Sequence, residues 1–481
     1  MHAQSPYDIL IVGAGAAGTT LAQALSRGSA ARPTGRYRIA LLERSLAEPD
    51  RIVGELLQPG GREILQRLGM GDCVEGIDAV PVHGYAVVKD GDAVRIPYNH
   101  THEGRSFHHG RFIQNLRSKA RTAPGVEIVE ATVTDLIECP LSRRVIGVQA
   151  VRKGATQGEK EPFYATLVVV ADGCFSNFRA QVYRAKPATN TVGHFVGVVL
   201  QDAALPIPKH GTVSLIRGHG PVLLYQIAEH DTRMLVDVKA PLPADLKSHI
   251  LTEIVPHLPA GLQQPARRAV ETDRLRRMPN TVLAPATQGG RATKEGVVLV
   301  GDAWNMRHPL TGGGMTVAFH DAELLARLLV ALPDLGDWDA VGAVLHRWHW
   351  QRKPLAATVN ILSVALYDLF GADDEYLAVL RDGCFAYFER GGTCVSEPVG
   401  LLSATRPDTF LLFYHFFCVA FYSIYVMFTR PRTVRVPGEK AKTLPPPGVE
   451  EYPLLCLKGV RVFWTACVVF GPLLWAEYRW W

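Results

Sequence analysis

The sequence predicts an α/β protein: a mostly parallel sheet with crossover helices, a separate antiparallel sheet, and a helical, apolar C-terminal region. Three observations predict it. YDILIVGAGAAG, from Tyr7, runs from a buried apolar strand straight into a glycine turn and a helix. Between His194 and Ala240, four short apolar runs follow one another with turn residues between them, the spacing of an antiparallel sheet. Toward the C-terminus, two long apolar segments flank a basic stretch.

A chain of 481 residues, 47% hydrophobic, is too long for one ordinary domain and can bury large cores. The net charge of +5 is unevenly placed: between Arg430 and Arg461 seven Lys or Arg stand against three Glu. Lying between apolar segments, this excess points to a membrane surface and away from nucleic acid. The eight cysteines are scattered without a C-x-x-C pair. Neither a metal site nor a dithiol is indicated, and reduced thiols in a cytosol-facing protein are expected. A core strand begins within a few residues of Met1. Neither a signal peptide nor an N-terminal anchor is therefore expected, and membrane targeting falls to the C-terminal end.

Taken in order, DILIVGAG, AAGTTLAQALSRG and YRIALLER read as strand, helix and strand. Residues 126–138 and 144–152 read as strands, and ATLVVVADG as another buried one. HFVGVVLQD, GTVSLIRG, PVLLYQIAE and TRMLVDVKA form the antiparallel sheet. Residues 241–290 are Pro-rich and mixed, and EGVVLVGD then returns the chain to the first sheet. The expected division is 1–80, 104–190 and 286–335 for the first domain, 81–103 and 191–285 for the second, and 336–481 for the helical region. Its membrane-associated helices are expected near 410–428 and 455–476, the second interrupted by Gly471-Pro472. Trp475, Tyr478, Trp480 and Trp481 make an aromatic end suited to a lipid interface.

Three motifs carry chemistry. In Gly13-x-Gly15-x-x-Gly18, the first glycine allows the tight turn, the second admits a pyrophosphate, and the third lets the helix pack on the sheet. Glu43, ending the next strand, suits the hydroxyls of an adenosine ribose. VVVADGCFSNFR places Asp172 and Gly173 at a strand end ahead of Ser176 and Arg179, as in flavin-dependent aromatic hydroxylases. In GDAWNMRHPLTGGGM, Asp302 can accept from a ribityl hydroxyl. The Gly312–Gly314 run brings a helix N-terminus to the ring edge that becomes negative on reduction. The dinucleotide is thus FAD, in a Rossmann-type domain of the aromatic-hydroxylase kind.

The long blocks DRIVGELLQPGG (50–61), GRSFHHGRFIQNLR (104–117) and GDAWNMRHPLTGGGMTVAF (301–319), with GCFAYFERGG and EPVGLLS, resemble the squalene epoxidase (squalene monooxygenase) family. Nearly the whole chain is covered, and DAWN stands where DAYN is common. The resemblance implies FAD, O₂, and electrons from a separate NADPH-dependent cytochrome (diflavin) reductase. It also implies epoxidation of squalene to (3S)-2,3-oxidosqualene for sterols, on the endoplasmic reticulum membrane with the catalytic domain facing the cytosol. Residue by residue, it implies Ala16 and Ala17 at the pyrophosphate, Glu43 and Arg44 at the adenosine, and Arg51 and Leu56 along the flavin. Arg117 and Val133 would contact the cofactor from the second half of the domain. Asp302, Gly313, Gly314 and Met315 would hold the flavin end. The substrate is apolar, so its pocket is expected to be an apolar tube opening toward the bilayer. Candidate walls are Tyr225, Pro309, Leu310, Phe385 and Phe388, with Leu366 and Phe370 one helical turn apart. Tyr85, directly or through Gln58, is expected to hold flavin and pocket wall in place. His108 and His109 are read as structural, with no metal. Alternatives are another flavoprotein acting on a polyprenyl lipid, such as a quinone-ring hydroxylase or a geranylgeranyl reductase, and a non-catalytic FAD-binding membrane protein. Because the flavin motifs end by Met315, the chain beyond about 430 is expected to be dispensable for FAD.

Overall fold

A computed structural model describes residues 7–89, 91–99, 101–155, 158–184, 189–371, 374–434 and 442–479. Trp480 and Trp481 of the aromatic end, and residues 435–441 of the basic connector, lie outside them.

Five parallel strands form the first sheet, in the spatial order Val126–Glu138, Ile39–Glu43, Tyr7–Val12, Glu161–Val170 and Val297–Leu299. Ile9, Leu10 and Ile11 are fully buried, as are Leu167 to Val170 and Val297 to Leu299. Strands covered on both faces read as continuous apolar runs, which is why they stand out in the sequence. The helix Ala16–Gly28 packs on this sheet, and the helix Gly314–Val330 packs on that helix. Two of the strands outrun the sheet: residues 131–138 and 161–164 pair antiparallel with Val145–Arg152.

The second sheet has seven strands, in the order 276–282, 190–201, 231–239, 222–226, 211–215, 84–89 and 92–97. It is antiparallel except where 211–215 meets 84–89 in parallel. Side chains alternate between its faces with period two. Phe195, Val213, Leu223, Tyr225 and Leu235 join one core, while Val196, Val198, Val222, Leu224 and Met234 join another. The second face is covered by the helix Ala260–Thr272 through Leu262, Ala266, Ala269 and Val270. This helix and the edge strand Arg276–Val282 lie in the stretch that reads as mixed. Pro256, Pro259 and Pro265 mask the 3.6-residue period, and Pro265, inside the helix in its second turn, removes one intrahelical N–H donor.

After Val330 the described chain is mainly helical, with helices at Trp338–Gln351, Lys353–Phe370, Glu375–Phe388, Thr393–Leu402, Thr409–Thr429 and Tyr452–Tyr478. Two are long and apolar enough to cross a membrane: Thr409–Thr429 and Val449–Tyr478. Phe410, Phe413, Phe421, Leu454, Trp464 and Trp475 lie exposed on them. The second helix runs unbroken through Gly471 and Pro472, where the sequence suggests an interruption. Neighbouring helices tolerate such a proline where packing, rather than one hydrogen bond, holds the segment.

Candidate active site

A cavity of about 270 Å³ lies where the C-terminal ends of the parallel strands meet the inner face of the seven-stranded sheet. Two helices begin at it. Gly15 caps the helix Ala16–Gly28 and Gly313 caps Gly314–Val330; neither start has a side-chain cap or an acidic residue in its first turn. Two sets of bare N–H groups, with the positive ends of two helix dipoles, therefore face one space. The glycines are matched to this use. A Cβ on Gly18 would lie 1.9 Å from Gly13 O, whereas one on Gly15 meets nothing within 4 Å. Gly18 is consumed by packing, and Gly15 leaves room for a group lying on the backbone. Arg307 and Thr311, both in the cavity wall, carry buried polar atoms without partners, Nε and Oγ1. A cofactor with an anionic pyrophosphate and a ring that gains negative charge fits this donor set.

The surrounding loops are pinned by two buried arginines. Arg117 donates from Nε to Ala14 O (3.0 Å) and from Nη1 to Ala47 O (3.1 Å), and its Nη2 lies 3.5 Å from Glu43 Oε2. Glu43 in turn accepts from Ala14 N at 2.8 Å, so the strand-end carboxylate and the glycine turn form one unit. Arg179 ties the Asp-Gly loop to the Asp302 turn, donating to Ala303 O (2.7 Å), Asp302 O (2.8 Å) and Cys174 O (3.1 Å). That leaves the Asp302 carboxylate free at the cavity, 3.8 Å from Arg51 Nη2.

The opposite wall is apolar and is held by a hub at Gln58. The Gln58 side chain is fully buried. Its Nε2 donates to Thr311 O (2.7 Å), and its Oε1 accepts from Tyr85 Oη (2.8 Å) and Tyr98 Oη (2.7 Å). Burial pushes both phenols above their ordinary pKa, so they act here as hydrogen-bond donors. Next to the hub, Arg233 makes a bidentate, almost fully buried pair with Glu55, at 2.8 Å for both contacts; Tyr225 Oη lies 3.3 Å from the same carboxylate. His109 Nδ1 contacts Gly54 O at 2.8 Å; burial, and then Arg51, push its pKa down to about 4.

The structure gathers many of the sequence-predicted residues at this cavity: Gly15, Ala16, Ala17, Arg51, Leu56 and Gln58; Tyr85, Tyr225 and Asp302; and Pro309, Leu310, Gly314 and Met315. Others sit elsewhere. Gly13 and Gly18 shape the turn from behind, and Gly313 packs its backbone against Val359. Arg44 is exposed, and Val133 packs against the parallel-sheet core, away from the cavity wall. Asp172 turns away from the cavity: one oxygen accepts from Asn177 N at 2.9 Å, while its neighbours Ala171 and Gly173 form the wall. The single apolar tube is also corrected. Leu366 and Phe388 line a second cavity of about 100 Å³ between the C-terminal helices, with Leu380, Leu401 and Phe416. Phe370 and Phe385 line neither, and pack with the cluster that holds Tyr225 and Leu310. Two helices packing side by side separate these residues, which sequence spacing does not show. Missing from the sequence reading are Glu55, Arg233, Tyr98, Thr311 and Arg307. Glu55 and Arg233 are 178 residues apart, and a loop packing on the seven-stranded sheet brings them together, which sequence spacing does not show. The signal for Arg307 was its place beside the glycine run.

The fold is that of FAD-dependent monooxygenases. A probable FAD-dependent monooxygenase of Pseudomonas aeruginosa superposes with a TM-score of 0.61 at 20% identity, over 76% of this chain and 96% of that one. The squalene epoxidase family model matches residues 164–439. A squalene epoxidase of Aspergillus fumigatus is 43% identical over 98% of this chain and 93% of its own. A squalene monooxygenase of Mus musculus is 40% identical over 98% and 78%. The chain belongs to the squalene epoxidase family and is a monooxygenase.

Proposed function

We propose that the protein epoxidises squalene with FAD and O₂, taking electrons from NADPH through a separate diflavin reductase, at the endoplasmic reticulum membrane and facing the cytosol. The observation that carries the reading is the two-sided cavity. Uncapped helix starts, Asp302 and Arg51 make one side, and Leu56, Leu223, Tyr225, Leu235, Pro309 and Leu310 the other. Bound FAD supplies the electrons that divide O₂ between the alkene and water. The first turn after Gly15 would receive the pyrophosphate, and Glu43, held by Arg117, would serve the adenosine end. Asp302 would accept from the ribityl chain, and the Gly314 helix start would stabilise negative charge on the ring. Epoxidation breaks no C–H bond of the alkene, so the site needs no side-chain base to take a proton from it. The apolar wall positions the double bond and excludes water, and the Gln58 hub fixes that wall to the Thr311 loop. The family relationship supports squalene as the alkene. The exposed aromatic faces of the two long helices support a lipid setting, from which the cavity takes its substrate.

The test is oxygen-dependent conversion of squalene by purified protein with FAD, NADPH and a diflavin reductase. The expected product is the 2,3-epoxide. A phenol from a polyprenyl quinone, or a saturated chain, would move the protein to another lipid-directed flavoenzyme. No second glycine fingerprint is present for NADPH, so anaerobic flavin bleaching by NADPH alone should be slow. Rapid bleaching without reductase would overturn that part.

A further inference from the structure

The C-terminal apolar helix Tyr452–Tyr478 ends with a charge buried in the protein. Glu477 is only 5% exposed. One of its oxygens lies 3.0 Å from Lys353 Nζ, and the other accepts from Asn360 Nδ2 at 2.7 Å. Asn360 Nδ2 also reaches the Asn305 amide, at 3.1 Å. The Asn305 amide is oriented by its oxygen, which accepts from Arg352 Nη2 (2.7 Å) and Arg307 Nη2 (3.1 Å), so that its nitrogen is the atom facing Asn360. Arg307 then spans the loop, with Nη2 donating to Asn305 O (3.0 Å) and Nη1 to Gly314 O (3.3 Å). The loop so held includes Met306, Arg307 and Pro309 to Gly312, all in the wall of the main cavity, and it ends at the uncapped helix start.

We propose that Glu477 is a positioning residue for the flavin: through Asn360 and Asn305 it sets the 305–314 loop, so that the last turn of an apolar, membrane-type helix holds the redox end of the site. The inference rests on reading the main cavity as the FAD site. Its first argument is contact. Glu477 takes a hydrogen of the Asn360 amide and so fixes its rotamer, and that amide abuts the Asn305 amide at 3.1 Å. Without the carboxylate the Asn360 amide is free to turn, and Asn305 loses a fixed neighbour. The second argument is charge. Arg307, Arg352 and Lys353 are buried together against Asp321 and Glu477. Burial lowers the pKa of Arg307, and Glu477 is among the anions that oppose the shift. Removing Glu477 leaves the cluster more positive beside a ring that becomes more negative on reduction. An ion pair that merely anchored a helix would need neither the second oxygen on Asn360 nor the continuation to Asn305.

The experiment uses the full chain in detergent, with FAD titrated into apoprotein, the midpoint potential of the reconstituted flavin, and flotation with phosphatidylcholine liposomes. Glu477→Gln should bind FAD about tenfold more weakly, the factor for one charge-assisted hydrogen bond, and its flavin potential should move to a more positive value. Flotation should match wild type. Wild-type FAD affinity and potential in Glu477→Gln would overturn the proposal. So would joint loss of FAD and flotation, which would show the whole helix detaching. If Glu477→Gln does not fold, the double variant Lys353→Met/Glu477→Met decides, because it leaves no buried charge unpaired. It should fold and still bind FAD about tenfold more weakly; recovery of wild-type affinity would reduce the pair to a structural anchor. Wild-type protein that takes up no FAD would instead refute the assignment of the cavity.

Discussion

The Gln58 hub allows a sharp comparison between Gln58→Leu and Tyr85→Phe. Leucine keeps the bulk of Gln58 but serves none of its three partners: the Thr311 carbonyl and the hydroxyls of Tyr85 and Tyr98. A buried polar group left without its partner costs about 1–3 kcal/mol. Three such groups, with some relief as the Tyr85 hydroxyl turns toward the cavity, give about 3–6 kcal/mol. Tyr85→Phe removes one of two donors to the same oxygen. Gln58 Oε1 keeps Tyr98, and the edge-on contact of the two rings, 5.4 Å between centroids, survives. Its cost should be about 1 kcal/mol. The assay is denaturant titration in mild detergent for both variants, with kcat for squalene measured beside it. Gln58→Leu should be several-fold more costly in stability and should lose turnover with it. Tyr85→Phe should keep kcat within about threefold, since a factor of ten needs about 1.4 kcal/mol at the transition state. A Tyr85→Phe variant of wild-type stability but with turnover down a hundredfold would refute the reasoning, because the hydroxyl would then act in the chemistry and not through the wall.

Asp302→Ala should weaken FAD binding about 10–100-fold, the loss of one charged acceptor for a buried hydroxyl, read by fluorescence titration; unchanged affinity would misplace the ribityl chain. His109 is held neutral in the fold with its pKa pushed down to about 4, below the ordinary value near 6.5. The unfolded chain therefore takes up the proton first, and stability should fall as pH drops from about 6.5 to about 4, by about 3 kcal/mol in all. His349, pushed down to about 3 by burial, adds to the same slope. The difference between wild type and His109→Gln, measured by denaturant titration across that range, isolates the first term; parallel curves would contradict it. Truncation after residue 430 should lose FAD and stability and weaken flotation, because it removes both the helix packed on Lys353–Phe370 and the Glu477 contact to Asn360; a truncated protein with full FAD content would contradict that.

The last of these reverses what the sequence suggests, and the reason shows what was legible. The glycine turn could be read because all its constraints fall within six residues and are local: one glycine for the turn, one for space, one for packing. The strand-to-helix passage at Asp302 and the Gly312–Gly314 run were readable for the same reason. Tyr225, Pro309 and Leu310, which only the family resemblance singles out in the sequence, do line the main cavity. Glu477 was not readable. In sequence it is one acid between Trp475, Tyr478 and the final tryptophans, indistinguishable from a solvated end. Its burial depends on how the helix Tyr452–Tyr478 packs on Lys353–Phe370, a contact across more than a hundred residues. Glu55 with Arg233, and the division of the apolar tube into two cavities, escaped for that same reason.

The two long C-terminal helices are apolar on their outward face as well as on much of their inward one, unlike a helix packed on a water-soluble core. Phe413, Phe421, Trp464 and Val468 face outward, while His415, Ser423 and Glu477 face inward. Each inward polar group is matched. His415 Nδ1 meets Tyr387 Oη at 2.9 Å and its Nε2 meets Glu397 at 2.8 Å; Ser423 donates to Val419 O at 2.7 Å. In water such an arrangement would expose apolar surface and bury polar groups at a net cost, whereas in hydrocarbon both choices are favourable. The second cavity lies among these helices, and Leu366 and Phe388, which line it, also pack on the cluster around Tyr225 and Leu310. Those two side chains therefore link the second cavity to the wall of the main one. His415 apart, the residues lining the second cavity are apolar, so an apolar molecule entering it would displace little hydrogen-bonded water.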